Sequence, residues 1–197
     1  MSAAIAAILL LSPDNPCNTT VVDDATSKAL YVVRTEHPKS GTVTRGKHED
    51  EIASLEWKST RSDRVTLAGF GGPMSLREWL HPSLIPFRRE VSWKDRMGRK
   101  YKWRGNEPGR QLELYSEDDG FASLIARFKR VHRDDAGVEK SACLLFTARG
   151  LEVRDDAVVS FLFLERARRE LETTVVRTAD SLAAGAAVGN AVFNVKA

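Results

Sequence analysis

Cysteine is scarce in this 197-residue chain: there are two, Cys17 and Cys143. Two thiols can make one bridge at most, so a disulfide framework is not indicated and a reducing compartment is the default. Long apolar runs are missing as well. No stretch reaches the roughly 20 residues that a membrane-spanning helix requires. The run Ile5 to Leu11 has no basic residues ahead of it, as a secretory signal would, and Pro13-Asp14-Asn15-Pro16 ends it at once. It therefore reads as a first strand, Ile8 to Ser12, rather than a cleaved leader. Asn18-Thr19-Thr20 is a glycosylation sequon, which matters only in a secreted chain.

Histidine is sparse too. His37, His48, His81 and His132 all fall in or beside predicted turns, without i, i+4 pairing and without a CxxC. A zinc site needs about four convergent ligands, so solvated histidines are the better reading. Charge of one sign is not in excess: the formal net charge is +3. That does not suggest a dedicated nucleic-acid binder. Gly69-Phe70-Gly71-Gly72 lacks the following lysine–threonine pair of a phosphate loop and reads as a strand-to-helix connection. No GxSxG elbow occurs. Asp118-Asp119 and Asp134-Asp135 could hold a cation, but both sit in predicted turns, where aspartate accepts local backbone bonds. No cofactor and no metal is expected.

What is there is an ordinary globular balance, 42% hydrophobic and 29% charged, enough to bury one core. The first two-thirds reads as short strands between polar turns. Thr19–Val22 and Ala29–Thr35 flank one turn, and Gly41–Arg45 and Ile52–Lys58 form the next pair. In the latter, Ala53, Leu55 and Trp57 alternate with polar neighbours at period two. Asp63–Leu67 follows. Ser75-Leu76-Arg77-Glu78 is a capping box opening a short helix that His81-Pro82 stops. Trp79, Leu80, Leu84, Ile85 and Phe87 read as a plug on the core. Glu90–Lys94 and Arg99–Arg104 flank a turn with Gly98. Leu112–Tyr115, Leu124–Arg130 and Ala142–Thr147 complete about ten strands at hairpin spacing, the pattern of a sandwich or barrel.

The pattern then changes. Ala157 to Leu164 is apolar except for Ser160. Asp155 and Asp156 precede it and Arg166, Arg168 and Arg169 follow it, as a helix dipole over Asp156–Leu171 would favour. A helix that is apolar all round must be buried on all sides. The expected fold is mainly β: a closed antiparallel barrel around one hydrophobic C-terminal helix. The expected domain is 8–171, with 172–197 as a flexible tail rich in alanine and glycine and a nascent helix in it as the alternative.

Several stretches resemble an uncharacterised fungal family, the domain of unknown function 6593. They are Asp14-Asn15-Pro16-Cys17-Asn18-Thr19-Thr20, Ile52-Ala53-Ser54-Leu55-Glu56-Trp57 and Gly98-Arg99-Lys100-Tyr101-Lys102-Trp103. Leu112-Glu113-Leu114-Tyr115, Ile125-Ala126-Arg127-Phe128 and the run from Val158 to Glu165 follow in order. The arrangement is also similar to the tubby C-terminal and phospholipid-scramblase group, whose members bind phosphoinositides or act at membranes. No ligand-contacting residue of that group aligns here, and fold likeness alone says little about function.

The strongest local signal is cationic. Lys94, Arg96, Arg99, Lys100, Lys102 and Arg104, with Arg88 and Arg89 upstream, are offset by Glu90 and Asp95 alone. Alternation puts Lys100, Lys102 and Arg104 on one face of a strand and Tyr101 and Trp103 on the other. A surface for anionic lipid or a phosphorylated partner is one reading. The solvated outside of a strand is the other, and alternation by itself explains it. The expected function is a non-enzymatic binding module for anionic lipid or a protein partner, cytoplasmic, with a membrane-peripheral position as the variant. An enzyme with a site assembled from scattered residues and a purely structural protein are the alternatives.

Overall fold

The computed structural model describes residues 4–37, 40–45, 50–57, 63–85 and 89–193. Side chains are described for all of these except 36, 37 and 179–193. His48, Lys58, Phe87 and Arg88 therefore lie outside the described residues.

The meander predicted for the first two-thirds is present. Its N-terminal half is β1 (Ile5–Ser12), β2 (Thr19–Asp23), β3 (Ala29–His37), β4 (Ser40–Arg45), β5 (Asp50–Glu56), β6 (Arg64–Leu67) and β7 (Met74–Ser75). The short helix α1 (Leu76–Trp79) follows, then β8 (His81–Pro82), β9 (Val91–Lys94), β10 (Lys100–Arg104), β11 (Glu113–Ser116) and β12 (Leu124–Lys129). A small hairpin of β13 (His132–Arg133) and β14 (Glu139–Lys140) stands apart. Then come β15 (Cys143–Thr147), α2 (Ala148–Leu151) and the long α3 (Arg154–Phe193).

Among the described residues, thirteen strands form one antiparallel sheet in the order β7-β6-β5-β4-β3-β2-β1-β15-β12-β11-β10-β9-β8. The first strand sits at its centre: Leu9 pairs with Leu144 of β15 on one side and with Asp23 of β2 on the other. Alternation explains the hairpins. In β10, Tyr101 and Trp103 are buried while Lys100, Lys102 and Arg104 are half-exposed. A register shift opposite Val43 and Thr44 lets β5 bury both Ile52 and Ala53, which strict alternation would not.

The closed barrel expected from the sequence is not formed. The sheet is open: its edges are β7 and β8, and among the described residues no ladder joins them. Each edge strand is two residues long, α1 separates them in the chain, and Pro82 in β8 has no N–H to donate. The likeness to the tubby and scramblase group rested on a closed barrel, so it carries no weight here.

The sheet instead packs on the first part of α3. Every residue from Ala157 to Glu165 is buried. Phe161 lies 4.5 Å from the Phe128 ring and 6.5 Å from Trp103, and Phe163 meets Trp79 edge-on at 6.0 Å. Ser160 is the polar exception, and its place has a cause. Its hydroxyl accepts from Trp103 Nε1 at 2.9 Å and donates to the Ala157 carbonyl at 3.1 Å, so the buried indole N–H is satisfied.

Other expectations need correction. Leu84 and Ile85 are 98% and 55% exposed, so among the described residues of the expected plug Trp79 and Leu80 alone are buried. The capping box is as expected, with Ser75 N donating to Glu78 Oε2 at 2.7 Å, but its helix is one turn long. The final helix does not stop at Leu171 and runs to Phe193. Alanine, glutamate and arginine favour continued helix, and the hydroxyls of Thr173, Thr174 and Thr178 turn back onto carbonyls one turn earlier. Arg166, Arg168 and Arg169 are consequently mid-helix and have no C-terminal dipole to meet.

Candidate functional site

The cationic residues singled out in the sequence fall on the β9–β10 hairpin and separate into two groups. At its tip, Asp95 turns inward. Its Oδ1 accepts from the Met97 and Arg99 amides, both at 2.9 Å, and Oδ2 accepts from Arg99 Nε at 2.7 Å. Gly98 has φ +78°, which the turn needs and few other residues adopt. Arg99 also reaches Glu152 at 3.5 Å and is thereby neutralised. Lys94 and Arg96 are exposed, Lys94 sits opposite Lys100, and Met97 at the apex is 79% exposed. The Arg96 guanidinium folds over the Gly69 loop, where an added Cβ would lie 2.6 Å from its Nη1.

Further along β10 the charges are paired. Lys102 and Arg104 share Glu90, at 3.2 and 3.5 Å. Lys102 lies over the Phe121 ring at 4.5 Å and Arg104 over Tyr115 at 4.2 Å. Lys100 is 3.6 Å from Glu117, and on the neighbouring strands Arg127 binds Glu113 at 2.8 Å. This part of the face is a lattice of alternating charge. The structure brings Lys94 and Lys100 together and ties Lys102 to Arg104, while Arg96 and Arg99 turn elsewhere.

Near the tip, the first turn of α3 holds two carboxylates with different surroundings. Asp155 accepts from the Tyr31 hydroxyl at 2.5 Å and pairs with Arg45. Asp156 is largely buried, and burial pushes its pKa up to about 6, with Arg96 opposing the rise and Asp155 and Asp95 adding to it. An unfolded aspartate ionises near 3.9. Between that pH and about 6 the native state therefore holds the extra proton, and stability falls as pH rises through this window. Asp156→Asn is expected to stabilise the protein by about 3 kcal/mol at pH 7 and by almost nothing near pH 3. Urea melts at the two pH values check this; an equal gain at both would contradict it.

A second cationic group was not singled out from the sequence. It lies where β12 ends against α3. Glu165 is fully buried, and its Oε1 accepts from Arg130 Nε at 3.1 Å and Arg169 Nε at 2.9 Å. Arg168, 3% exposed, is 3.3 Å from Glu165 Oε2 and donates through Nη2 to the Arg110 carbonyl at 2.6 Å. Burial lowers the pKa of Arg168, against the pull of Glu165. Arg130 additionally grips Glu172 with two bonds of 3.0 Å, and Arg169 reaches Asp14. Beside this cluster opens a cleft of about 310 Å³, lined by Arg110, Lys129, Arg130, His132 and Arg168 among others. These residues are up to 58 positions apart in the chain, as Arg110 and Arg168 show, and no local pattern links them. The one sequence signal was Glu165 itself, a carboxylate adjoining an apolar run that has to be buried.

The remaining candidates are structural. Asp134 Oδ1 accepts from the amides of Ala136 and Val138, and Asp119 from those of Ala122 and Ser123, which is turn-making. Asp118 pairs with Arg149. His81 and His132 are exposed. Among the described residues no group of three or more histidines, cysteines or carboxylates could hold a metal ion, and no helix is long and apolar enough to cross a membrane. Both cysteines are free, and burial raises the pKa of each thiol.

An open antiparallel sheet packed on a long C-terminal helix is the class this fold defines. Within it, residues 14–170 match a family of unknown function, DUF6593, and the chain belongs to that family. Among solved structures, the X-ray structure of a protein from Arabidopsis thaliana is similar at 12% identity and a TM-score of 0.46, covering 87% of this chain and 94% of that one. No curated protein matches.

Proposed function

We propose that the chain is a non-enzymatic binding module that docks on anionic lipid surfaces through the β9–β10 tip. One observation carries this reading. Met97 stands 79% exposed at the apex, with exposed Lys94 and its cross-strand neighbour Lys100 at the base of the turn, while the local acid Asp95 is turned inward onto Arg99. An apolar side chain flanked by cations suits a membrane interface, where the cations meet headgroups and the apolar group enters below them. The anionic leaflet faces the cytoplasm, so this reading carries a cytoplasmic, membrane-peripheral location with it.

Each cation near such a surface contributes about 1 kcal/mol at low salt, and less as screening rises. Lys94→Gln/Arg96→Gln/Lys100→Gln is expected to weaken binding to phosphatidylserine vesicles about a hundredfold, the equivalent of roughly 3 kcal/mol. Lys102→Gln/Arg104→Gln is expected to cost much less, because Glu90 already neutralises that pair. Sedimentation with the vesicles, at low and high salt, reads both. Absence of binding by the unaltered protein, or equal loss in the two variants, would sink the proposal.

A further inference from the structure

The cleft beside Arg168 has a chemistry that the hairpin tip lacks. Arg110, Lys129, Arg130 and Arg168 line it together with His132, and among the described residues no carboxylate does. Acids balance some of these cations: Glu165 faces Arg130 and Arg168, Glu172 faces Arg130, and Glu107 faces Arg110. Lys129 has no ion-pair partner among the described residues. Four cations against three acids leave a positive excess.

The decisive feature is Arg168. Although 3% exposed, it has two donors, Nε and Nη1, without a hydrogen-bond acceptor among the described residues. Nη1 comes within 3.3 Å of Glu165 Oε2, but that oxygen has no hydrogen-bond partner either, so the contact is a charge pairing of poor alignment. A buried guanidinium with idle N–H groups is costly, and an anionic oxygen reaching either donor would relieve that cost. The Nη2 bond to the Arg110 carbonyl fixes the plane of the guanidinium at the wall of the cleft. At about 310 Å³ the cleft stands at the small end of the range for small-molecule sites.

We propose that this cleft binds a phosphate group, with Arg168 as the buried donor and Arg130, Lys129 and His132 nearer the mouth. Phosphate is favoured over a carboxylate because its three or more oxygens can be shared among donors from several side chains. The site is separate from the hairpin tip and does not depend on membrane docking there.

The test uses the full chain. Calorimetric titration with inorganic phosphate, at constant ionic strength against chloride, gives one arm. Flotation with phosphatidylcholine vesicles, with and without phosphatidic acid, gives the other and separates a lipid-borne phosphate from a free one. Saturable binding is expected in at least one arm. Lys129→Gln/His132→Ala, both at the mouth, is expected to weaken it about tenfold or more without moving the melting temperature. Arg168→Lys is expected to weaken it further, and the mouth variant keeps the test decisive should Arg168→Lys not fold. Lys94→Gln/Arg96→Gln/Lys100→Gln is expected to leave soluble phosphate binding unchanged, so that failure of the tip reading and failure of this one are distinguishable. Absence of saturable binding in both arms overturns the proposal and leaves water as the partner of Arg168. Full affinity in the mouth variant overturns it equally.

Discussion

Phe161→Asp is expected to abolish folding. Phe161 is fully buried in the middle of the apolar stretch of α3, with rings from β10 and β12 against it. Truncating a buried phenylalanine costs about 3–5 kcal/mol through lost burial and the cavity left behind. A carboxylate at the same place adds the cost of an unpaired buried charge, several kcal/mol more unless it takes up a proton. The local polar groups cannot help, because the Ser160 hydroxyl is already engaged by Trp103 and the Ala157 carbonyl. The total reaches or exceeds the roughly 5–15 kcal/mol that stabilises a typical domain. Circular dichroism melting of the purified variant decides the matter. A cooperative transition near that of the unaltered protein would show that α3 is not seated against these rings.

Glu165→Leu is expected to cost about 3–5 kcal/mol, a fall of roughly 10 °C in melting temperature for a domain of this size. The apolar replacement itself suits the site. The damage comes from its neighbours: Arg168 would remain 3% exposed with no carboxylate beside it, and Arg130 and Arg169 would each lose an acceptor. Glu172→Gln is the contrasting case. Glu172 is partly exposed and its main partner is Arg130, so its loss is expected to cost about 1 kcal/mol or less. If the penalty at Glu165 comes from stranded charge, Glu165→Leu combined with Arg168→Leu should cost less than the sum of the two single changes. Strict additivity in thermal melts would show that the pair is not coupled.

These two outcomes concern a helix that the sequence announced and a charge cluster that it concealed. The helix was legible because Ala157 to Leu164 has neither the wet/dry alternation of the strands nor a polar face, and acids stand at its start. Its extension to Phe193 was not, because alanine- and glycine-rich sequence without a buried face carries little periodic signal. The hairpins were legible for the opposite reason: period-two alternation and turn residues are local, and β2–β3, β9–β10 and β11–β12 pair where the pattern put them. Lys100, Lys102 and Arg104 were read correctly as sharing a strand face. Which of them remain available was not readable, since Glu90 and Glu117 reach them only after neighbouring segments are in place.

By itself the sequence determined that this chain is rich in antiparallel hairpins, buries one apolar helix, and turns Tyr101 and Trp103 away from Lys100, Lys102 and Arg104. Those properties follow from residue spacing within one element. Tertiary structure alone decided that the sheet stays open among the described residues, because closure depends on whether two distant edges meet, and the two-residue strands β7 and β8 pair with β6 and β9 but not with each other. It also decided that β1 lies beside β15, and that Arg110, Arg130 and Arg168 converge on one cleft. Contacts between residues so far apart in the chain are set by the packing of whole elements, on which local alternation and composition place no constraint.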